Sequence, residues 1–178
     1  MKHGLFILML VALAAGSAVS AANETLAFEL QKLDVSAGHW VYHGETLGTP
    51  VSKPGKWTWN EDCGWSANQA FMVCSFTNNW AGKIVKSLVV DTWNKKDKSY
   101  WHYELFPDGA GGKPFISRMT VTGNTRVEYA TDNEHGRKVE TRITYVFDSA
   151  THVKVKIETS NNGVDWVTVD QGEGVKRP

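Results

Sequence analysis

The chain has 178 residues, of which 42% are hydrophobic and 21% are charged, and its 19 basic residues balance 19 acidic residues. This length and composition predict one globular domain with enough apolar side chains for a sizeable core. The balanced charge excludes the strongly basic field that attracts nucleic acid or anionic lipid, and eight tryptophans, five tyrosines and seven phenylalanines exclude a disordered chain.

Residues 1–21 have the layout of a secretory signal peptide. Lys2 and His3 give a basic start, an apolar run follows from Leu5 to Ala15, and small residues come next. The apolar run is too short for a membrane span. We therefore expect this segment to be cleaved and the protein to be exported to the periplasm or the extracellular space. No later stretch is apolar over the roughly 18 residues that a span needs.

The element that follows is predicted to be a helix within residues 22–36. Leu26, Leu30 and Leu33 are spaced by four and then three residues, which places them on one helical face. Asn23 is a suitable residue to cap the start of this helix. We expect the helix to precede a β domain and to plug or flank it.

Residues 37–178 are predicted to form a β domain, because apolar and polar residues alternate there with a period of two. Most breaks in the pattern are short and rich in glycine and asparagine, which antiparallel hairpins use and parallel crossovers do not. Ten antiparallel strands must split into two sheets or close into a barrel, and closure removes the exposed edges. The candidate strands lie at about 38–46, 56–63, 69–77, 83–93, 99–106, 115–122, 125–131, 137–148, 152–159 and 164–170.

The two cysteines, Cys63 and Cys74, are predicted to form a structural disulfide, because an oxidising compartment favours their pairing. Their midpoint falls in the turn-like stretch 66–69. If 57–63 and 70–77 are the two arms of one hairpin, the cysteines face each other. The α-carbons of such a pair lie about 4.5 Å apart, within the range of a disulfide. A metal site is not expected, because the chain has no Cys-x-x-Cys motif.

Several short motifs follow one another along the chain, namely Gly38-His39-Trp40, Trp57 to Cys63, Phe71-Met72-Val73-Cys74, Gly82-Lys83, Glu158-Thr159-Ser160, Asn162-Gly163 and Trp166. Their order and spacing resemble those of a known family, the secreted branch of the domain-of-unknown-function family numbered 1579 (DUF1579), over about residues 28–173. The resemblance implies an all-β fold, a closed antiparallel meander barrel of about ten strands in the lipocalin-like (calycin) group, preceded by a short N-terminal helix. It implies no activity, because the family has no settled one.

His102 is the leading candidate for a functional histidine, either as an acid–base group or as a haem ligand. It shares one strand face with Tyr100 and Glu104, and a merely structural role is the competing interpretation. His39 and His43 would lie about 13 Å apart on a strand, which is too far for one metal ion. We therefore predict no metal site and no cofactor.

Motifs of nucleophilic catalysis are missing from the sequence, which has no Gly-x-Ser-x-Gly elbow. Asp91 and Glu104 would meet only if neighbouring strands brought them together inside the barrel. Arg126 and Glu128 are interpreted, with other charges of the late strands, as cross-strand ion pairs on a solvated face. An enzyme with a site in the barrel mouth remains an alternative, but the sequence favours a protein without catalytic activity.

The many aromatic residues indicate a ligand-binding function. A barrel of ten strands encloses more volume than one of eight, so its interior must hold large side chains or a guest molecule. We predict a protein that binds a small, largely apolar ligand; the alternative is a filled barrel whose outer aromatic residues bind glycans or another surface. Because neighbouring strand residues face opposite ways, only one of the Trp101 and His102 sets can point inward. The candidate ligand-binding residues are Trp57, Trp59, Phe71, Trp101, Tyr103 and His102.

Overall fold

The computed structural model describes residues 28–48, 53–80, 82–107, 113–134 and 137–178. Ten strands form one closed antiparallel barrel, in which each strand pairs with its neighbours in sequence and the last strand pairs with the first. This confirms the predicted all-β meander barrel.

The strands follow the predicted order, and several extend beyond the predicted limits. The largest differences are at the last strand, which begins later and continues almost to the C-terminus. The strands are β1 (Gly38–Thr46), β2 (Gly55–Trp65), β3 (Met72–Trp80), β4 (Lys83–Asn94), β5 (Ser99–Leu105), β6 (Phe115–Thr122), β7 (Thr125–Glu134), β8 (Arg137–Ser149), β9 (His152–Ser160) and β10 (Val167–Arg177).

The described N-terminal segment closes one end of the barrel. Residues 28–31 are helical, and after a turn a 3-10 helix (Asp34–Ser36) leads into β1. Leu33 is buried in a cluster with Met72 and Tyr100, at the end where β3 and β5 begin. The predicted signal peptide and the first part of the predicted helix, 22–27, lie outside the described residues. No helix among the described residues is long and apolar enough to cross a membrane.

The disulfide between Cys63 and Cys74 is confirmed. The two residues are directly opposed in the pairing of β2 with β3, and their α-carbons lie 4.0 Å apart. The turn between these strands is closed by a hydrogen bond from the Ser66 amide to the Phe71 carbonyl of 2.9 Å. The bridge therefore joins the two arms of a short hairpin, as the position of the turn residues predicted.

An aromatic cluster fills one side of the barrel interior. Trp40 is completely buried, and its ring lies 5.9 Å from that of Phe147. Trp57 and Trp59 stack at 4.3 Å between ring centroids, and Tyr42 contacts Trp59 at 5.6 Å. Each of these residues is on the inward face of its strand, so the period-two pattern of the sequence assembles the cluster directly.

Gly44 makes room for Trp57 in this cluster. Trp57 and Gly172 are the residues directly opposite Gly44 on the two neighbouring strands. A methyl group at Gly44 would overlap the indole ring of Trp57 and approach the carbonyl of Gln171. Glycine is therefore required here by the close approach of a neighbouring side chain.

Substitution of Gly44 by alanine is expected to lower the free energy of unfolding by about 1–3 kcal/mol, the usual cost of overpacking a well-filled interior. Urea denaturation monitored by tryptophan fluorescence measures this loss. Gly64→Ala is the matched control, because a methyl group there would meet nothing within 4 Å. Equal stability of the two variants would contradict the packing described here.

Candidate functional site

A cavity of about 860 Å³ occupies the barrel interior between the aromatic cluster and the end opposite the N-terminal segment. Phe106, Lys113 and Pro114 lie at its mouth, where β5 ends and β6 begins. The interior is thus not filled by side chains. The cavity wall is largely apolar, and the residues that form it include Trp59, Phe76, Val85, Val89, Phe115, Ile143 and Ile157.

Ionisable side chains form the floor of this cavity. His102 and Glu104 point inward from β5, Glu61 points inward from β2, and Arg126 and Glu128 point inward from β7. On β5 and on β7 the two ionisable residues are two positions apart, and on β2 Glu61 is the one ionisable residue of the floor. The floor therefore combines ionisable groups from three strands that are distant in sequence.

Four buried residues of this region form an ion cluster, which we define as Asp91, His102, Arg126 and Glu128. His102 Nδ1 lies 2.7 Å from Asp91 Oδ1 and 4.0 Å from Glu128 Oε1. Arg126 donates a hydrogen bond of 2.7 Å to Glu128 Oε1, and its other terminal nitrogen lies 3.9 Å from Asp91 Oδ2. Each cation is thus paired with both of these carboxylates.

The ion cluster is also tied to the rest of the barrel. Arg126 donates a hydrogen bond of 3.2 Å to the Ser36 hydroxyl at the closed end, and Ser117 donates one of 3.2 Å to Glu128 Oε2. The Arg126 guanidinium lies 4.3 Å from the ring centroid of Tyr145, a cation–π contact. Arg126 therefore connects the floor of the cavity to the N-terminal segment that closes the barrel.

The cluster shifts the pKa values of its own members. Burial by itself would lower the pKa of His102, but the Glu128 and Asp91 carboxylates outweigh it and raise the pKa to about 9. Burial would raise the pKa of Asp91, but the charge and hydrogen bond of His102, with the charge of Arg126, hold it below its usual value. His102 is therefore an imidazolium at neutral pH, and Asp91 is a carboxylate.

Glu61 and Glu104 differ from the carboxylates of the ion cluster. Burial raises the pKa of Glu104, against the opposing effects of the Ser87 hydrogen bond and the His102 charge. Burial also raises the pKa of Glu61, although Arg126, His102 and the Tyr42 hydroxyl oppose it. The Ser87 hydroxyl donates a hydrogen bond of 2.6 Å to Glu104. Neither carboxyl forms an ion pair with any described residue.

Two polar atoms in the cavity wall have no partner. Trp59 and Asn78 are directly opposed in the pairing of β2 with β3, and both line the cavity. Trp59 Nε1 and Asn78 Oδ1 are buried, and neither has a hydrogen-bond partner among the described residues. Most buried polar groups are paired, so this donor and this acceptor are exceptions in the cavity wall.

The structure brings only two of the candidate ligand-binding residues into the cavity wall, Trp59 and His102. Trp57 stacks behind Trp59 in the aromatic cluster. Trp101 and Tyr103 stack on each other on the outer face of β5 at 5.8 Å, so the His102 set and not the Trp101 set points inward.

Phe71 also lies outside the cavity. It belongs to the turn before β3, and it is 38% exposed. Phe71, Trp101, Tyr103 and Trp57 are thus not among the residues that line this cavity. Aromatic character alone predicted them, and it does not distinguish the inner face of a strand from the outer face.

Sequence reasoning also missed the ion cluster. Arg126 and Glu128 were expected on a solvated face, yet they are 6% and 1% exposed. The signal that identifies them is the inverted pattern of β7, in which Tyr129 is exposed and the charged residues face inward. Alternation of apolar and charged residues divides a strand into two faces. Which of the two faces points inward depends on how the strand is placed in the barrel.

The described residues offer no ready metal site. The one suitably spaced group among them consists of Glu61, Cys63 and Cys74, and the disulfide already occupies both sulfur atoms. Histidine binds a metal through a neutral imidazole nitrogen, whereas the pKa of His102 is raised to about 9. Binding of a haem iron to His102 would therefore require displacement of this proton.

No family model and no curated protein matches the chain. Among solved structures, the chain is similar to the crystal structure of Rv2717c from M. tuberculosis, with 12% identity over 84% of this chain and 97% of that chain and a TM-score of 0.58. It is also similar to the S-type phycobiliprotein lyase CPES from Guillardia theta, with 11% identity over 83% of this chain and 92% of that chain and a TM-score of 0.49. At 12% identity the likeness to Rv2717c concerns the fold alone, which in this chain is a closed antiparallel barrel.

Proposed function

We propose that this protein binds one small amphipathic molecule in its barrel. The observation that carries the proposal is the cavity of about 860 Å³, which has an apolar wall and an ionisable floor. Ligand sites in proteins usually have volumes of about 300–1,000 Å³ and combine an apolar lining with a few polar groups. Because the floor is ionisable, we expect a ligand with an apolar body and a polar head rather than a largely apolar one.

The orientation of the ligand follows from the distribution of residues in the cavity. Phe76, Val85 and Ile143 are among the side chains of the wall, and they supply apolar surface for the body of the ligand. Glu104 and His102 lie at the floor, beside the buried ion cluster. A polar group that left water would recover hydrogen bonds only there, so the head of the ligand binds at the floor and the body points to the mouth.

The binding proposal can be tested with the neutral probe N-phenyl-1-naphthylamine and a cavity-filling variant. Ala130 lines the cavity, and Ala130→Phe would place a ring in it. We expect the fluorescence of the probe to rise with the wild-type protein and to rise at least tenfold less with Ala130→Phe. Val127→Phe, which adds the same ring on the outer face of β7, is the matched control and should behave as the wild type.

Native mass spectrometry of protein purified from its own host provides the second measurement. Extra mass that disappears on denaturation would identify a bound molecule and give its size. Absence of both guest mass and probe binding would contradict the proposal.

A proton-transfer enzyme is the second candidate, and the Asp91–His102 pair favours it. The 2.7 Å contact at Nδ1 fixes the ring, and no described residue bonds Nε2 of this cavity-lining histidine. An imidazolium held in this way can donate a proton to a bound substrate. If a ligand is identified, its conversion by the wild type but not by His102→Gln would favour the enzyme.

We also propose that the chain is exported and belongs to the secreted branch of DUF1579. The disulfide between Cys63 and Cys74 supports an oxidising compartment, and the lipocalin-like barrel agrees with the family resemblance. N-terminal sequencing of the protein recovered from the periplasm or culture medium of its host tests the export. A mature protein that begins near residue 22 is expected, and a chain that retains Met1 would contradict it.

A further inference from the structure

We infer that the head group of the bound molecule is an organic cation, an ammonium in particular, whose charge is neutralised by the carboxyl groups of Glu61 and Glu104. The inference deepens the proposed function and rests on it. It identifies the chemical class of the ligand from the charges of the cavity floor.

Carboxyl groups outnumber cationic side chains in the floor and the ion cluster. Among the described residues there, the carboxyl groups of Asp91, Glu128, Glu61 and Glu104 accompany the two cationic side chains of His102 and Arg126. Both cations are committed to Asp91 and Glu128, at distances of 2.7–4.0 Å. Glu61 and Glu104 are left without an ion-pair partner among the described residues, and a cationic ligand would supply it.

An anionic head group would be poorly accommodated at this floor. It would leave water without gaining a free cation, because the Arg126 and His102 charges are already paired. It would also lie beside two further carboxyl groups, and its negative charge would oppose their ionisation. Fatty acids and other apolar anions are therefore disfavoured, although their apolar parts would fit the cavity.

A cationic head group would supply an ion-pair partner to the carboxyl groups of Glu61 and Glu104. Glu104 has one hydrogen bond, from Ser87, and retains further acceptor capacity for an N–H donor. Trp59, in the cavity wall, presents an aromatic ring, and aromatic rings attract cations.

The mouth of the cavity does not select ligands by the sign of their charge. Lys113 and Asp132 both line it and carry opposite charges. A ligand of either sign can therefore enter, and discrimination takes place at the floor. The protein as a whole does not attract cations over anions, because its 19 basic residues balance its 19 acidic residues.

The experiment compares three molecules with the same eight-carbon body and different heads, namely octylamine, octanol and octanoate. Each competes with N-phenyl-1-naphthylamine for the wild-type protein at pH 7. We expect octylammonium to bind at least tenfold more tightly than octanol, and octanoate to bind most weakly. Equal or tighter binding of octanol or octanoate would overturn the inference while leaving the binding function intact. Failure of the probe and of all three molecules to bind would instead contradict the proposed function.

The variants Glu104→Gln and Glu61→Gln test the assigned carboxyl groups. Each keeps the shape of the side chain and removes the charge, so we expect a loss of about tenfold to a hundredfold in affinity for octylammonium, the usual range for one charge-assisted hydrogen bond. Binding of octanol should be unchanged, which also shows that the cavity is intact. Glu173→Gln, on an exposed side chain of β10, is the matched control and should change neither affinity. Unchanged octylammonium binding in both cavity variants would overturn the assignment.

Discussion

Replacement of Arg126 by methionine is expected to lower the free energy of unfolding by about 3–5 kcal/mol. The reason is that Glu128 would lose its 2.7 Å partner, and two almost completely buried carboxylates, Asp91 and Glu128, would share the single charge of His102. Methionine retains most of the length and apolar volume of arginine, so the loss measures the charge rather than a cavity. Equilibrium urea denaturation at pH 7 provides the free energies.

The control for this prediction is Arg118→Met. Arg118 is also paired with an aspartate, at 3.8 Å from Asp97, but its side chain is 63% exposed. Exposed ion pairs contribute little, so a loss below about 1 kcal/mol is expected. If Arg126→Met cost no more than Arg118→Met, the ion cluster would not be a buried and mutually dependent unit.

A double substitution examines the coupling within the cluster. Arg126 and Glu128 share a 2.7 Å hydrogen bond, so removal of both charges should cost less than the sum of the two single losses. We expect Glu128→Gln to restore part of the stability lost in Arg126→Met. Additive losses would contradict the direct pairing of these two side chains.

The strands and their antiparallel order could be predicted from the sequence because their determinants are local, whereas closure of the barrel, which pairs β1 with β10, was implied by the family resemblance. Alternation along single strands and turn residues at their ends identified ten strands, and short connections required antiparallel neighbours. The Cys63–Cys74 bridge was predictable for the same reason, since it joins two positions of one hairpin. None of these inferences depended on how distant strands align.

The candidate site could not be predicted in the same way, because it depends on register and on which face is inside. Asp91 lies opposite His102 in the pairing of β4 with β5, and no sequence pattern specifies that alignment. On β5 both faces carry aromatic and polar residues, with Trp101 and Tyr103 on one and Tyr100 and His102 on the other. A period of two separates such faces without identifying the inner one.

The cost of burying charge explains why the inverted pattern of β7 is informative. A charged residue facing the interior is stable only where a partner meets it, as Glu128 is met by Arg126 and Ser117. Each such residue therefore depends on several others, on different strands. Sequence analysis of one strand at a time cannot detect this interdependence. A cavity floor built of charged residues in a barrel nevertheless requires it.

The stability of the protein is expected to fall as the pH rises from about 6.5 to about 9, and His102 is the cause. Its pKa is raised to about 9 in the folded protein, against an ordinary value of about 6.5. A raised pKa means that the folded state binds the proton more tightly, so the contribution is complete below about pH 6.5 and is lost as the pH passes through 9. The linkage relation gives a loss of roughly 3 kcal/mol over this interval.

The pKa of Asp91 is lowered, so its contribution is lost only in acid and leaves the interval from pH 6.5 to 9 unchanged. Glu61 and Glu104 have raised pKa values, so their contributions also decline as the pH rises, and they must be separated from His102 experimentally.

The variant His102→Gln provides that separation. It lowers stability at every pH by removing the 2.7 Å partner of Asp91, but we expect it to abolish the decline assigned to the histidine. Urea denaturation at closely spaced pH values measures the slope, which a loss of packing alone would not change. His39→Gln is the matched control, because His39 pairs with Asp62 at 2.6 Å on an exposed face, and it should retain the wild-type slope. A wild-type curve that is flat between pH 6.5 and 9 would show that His102 is not held as an imidazolium, and the charge balance of the cavity floor would then have to be reassigned.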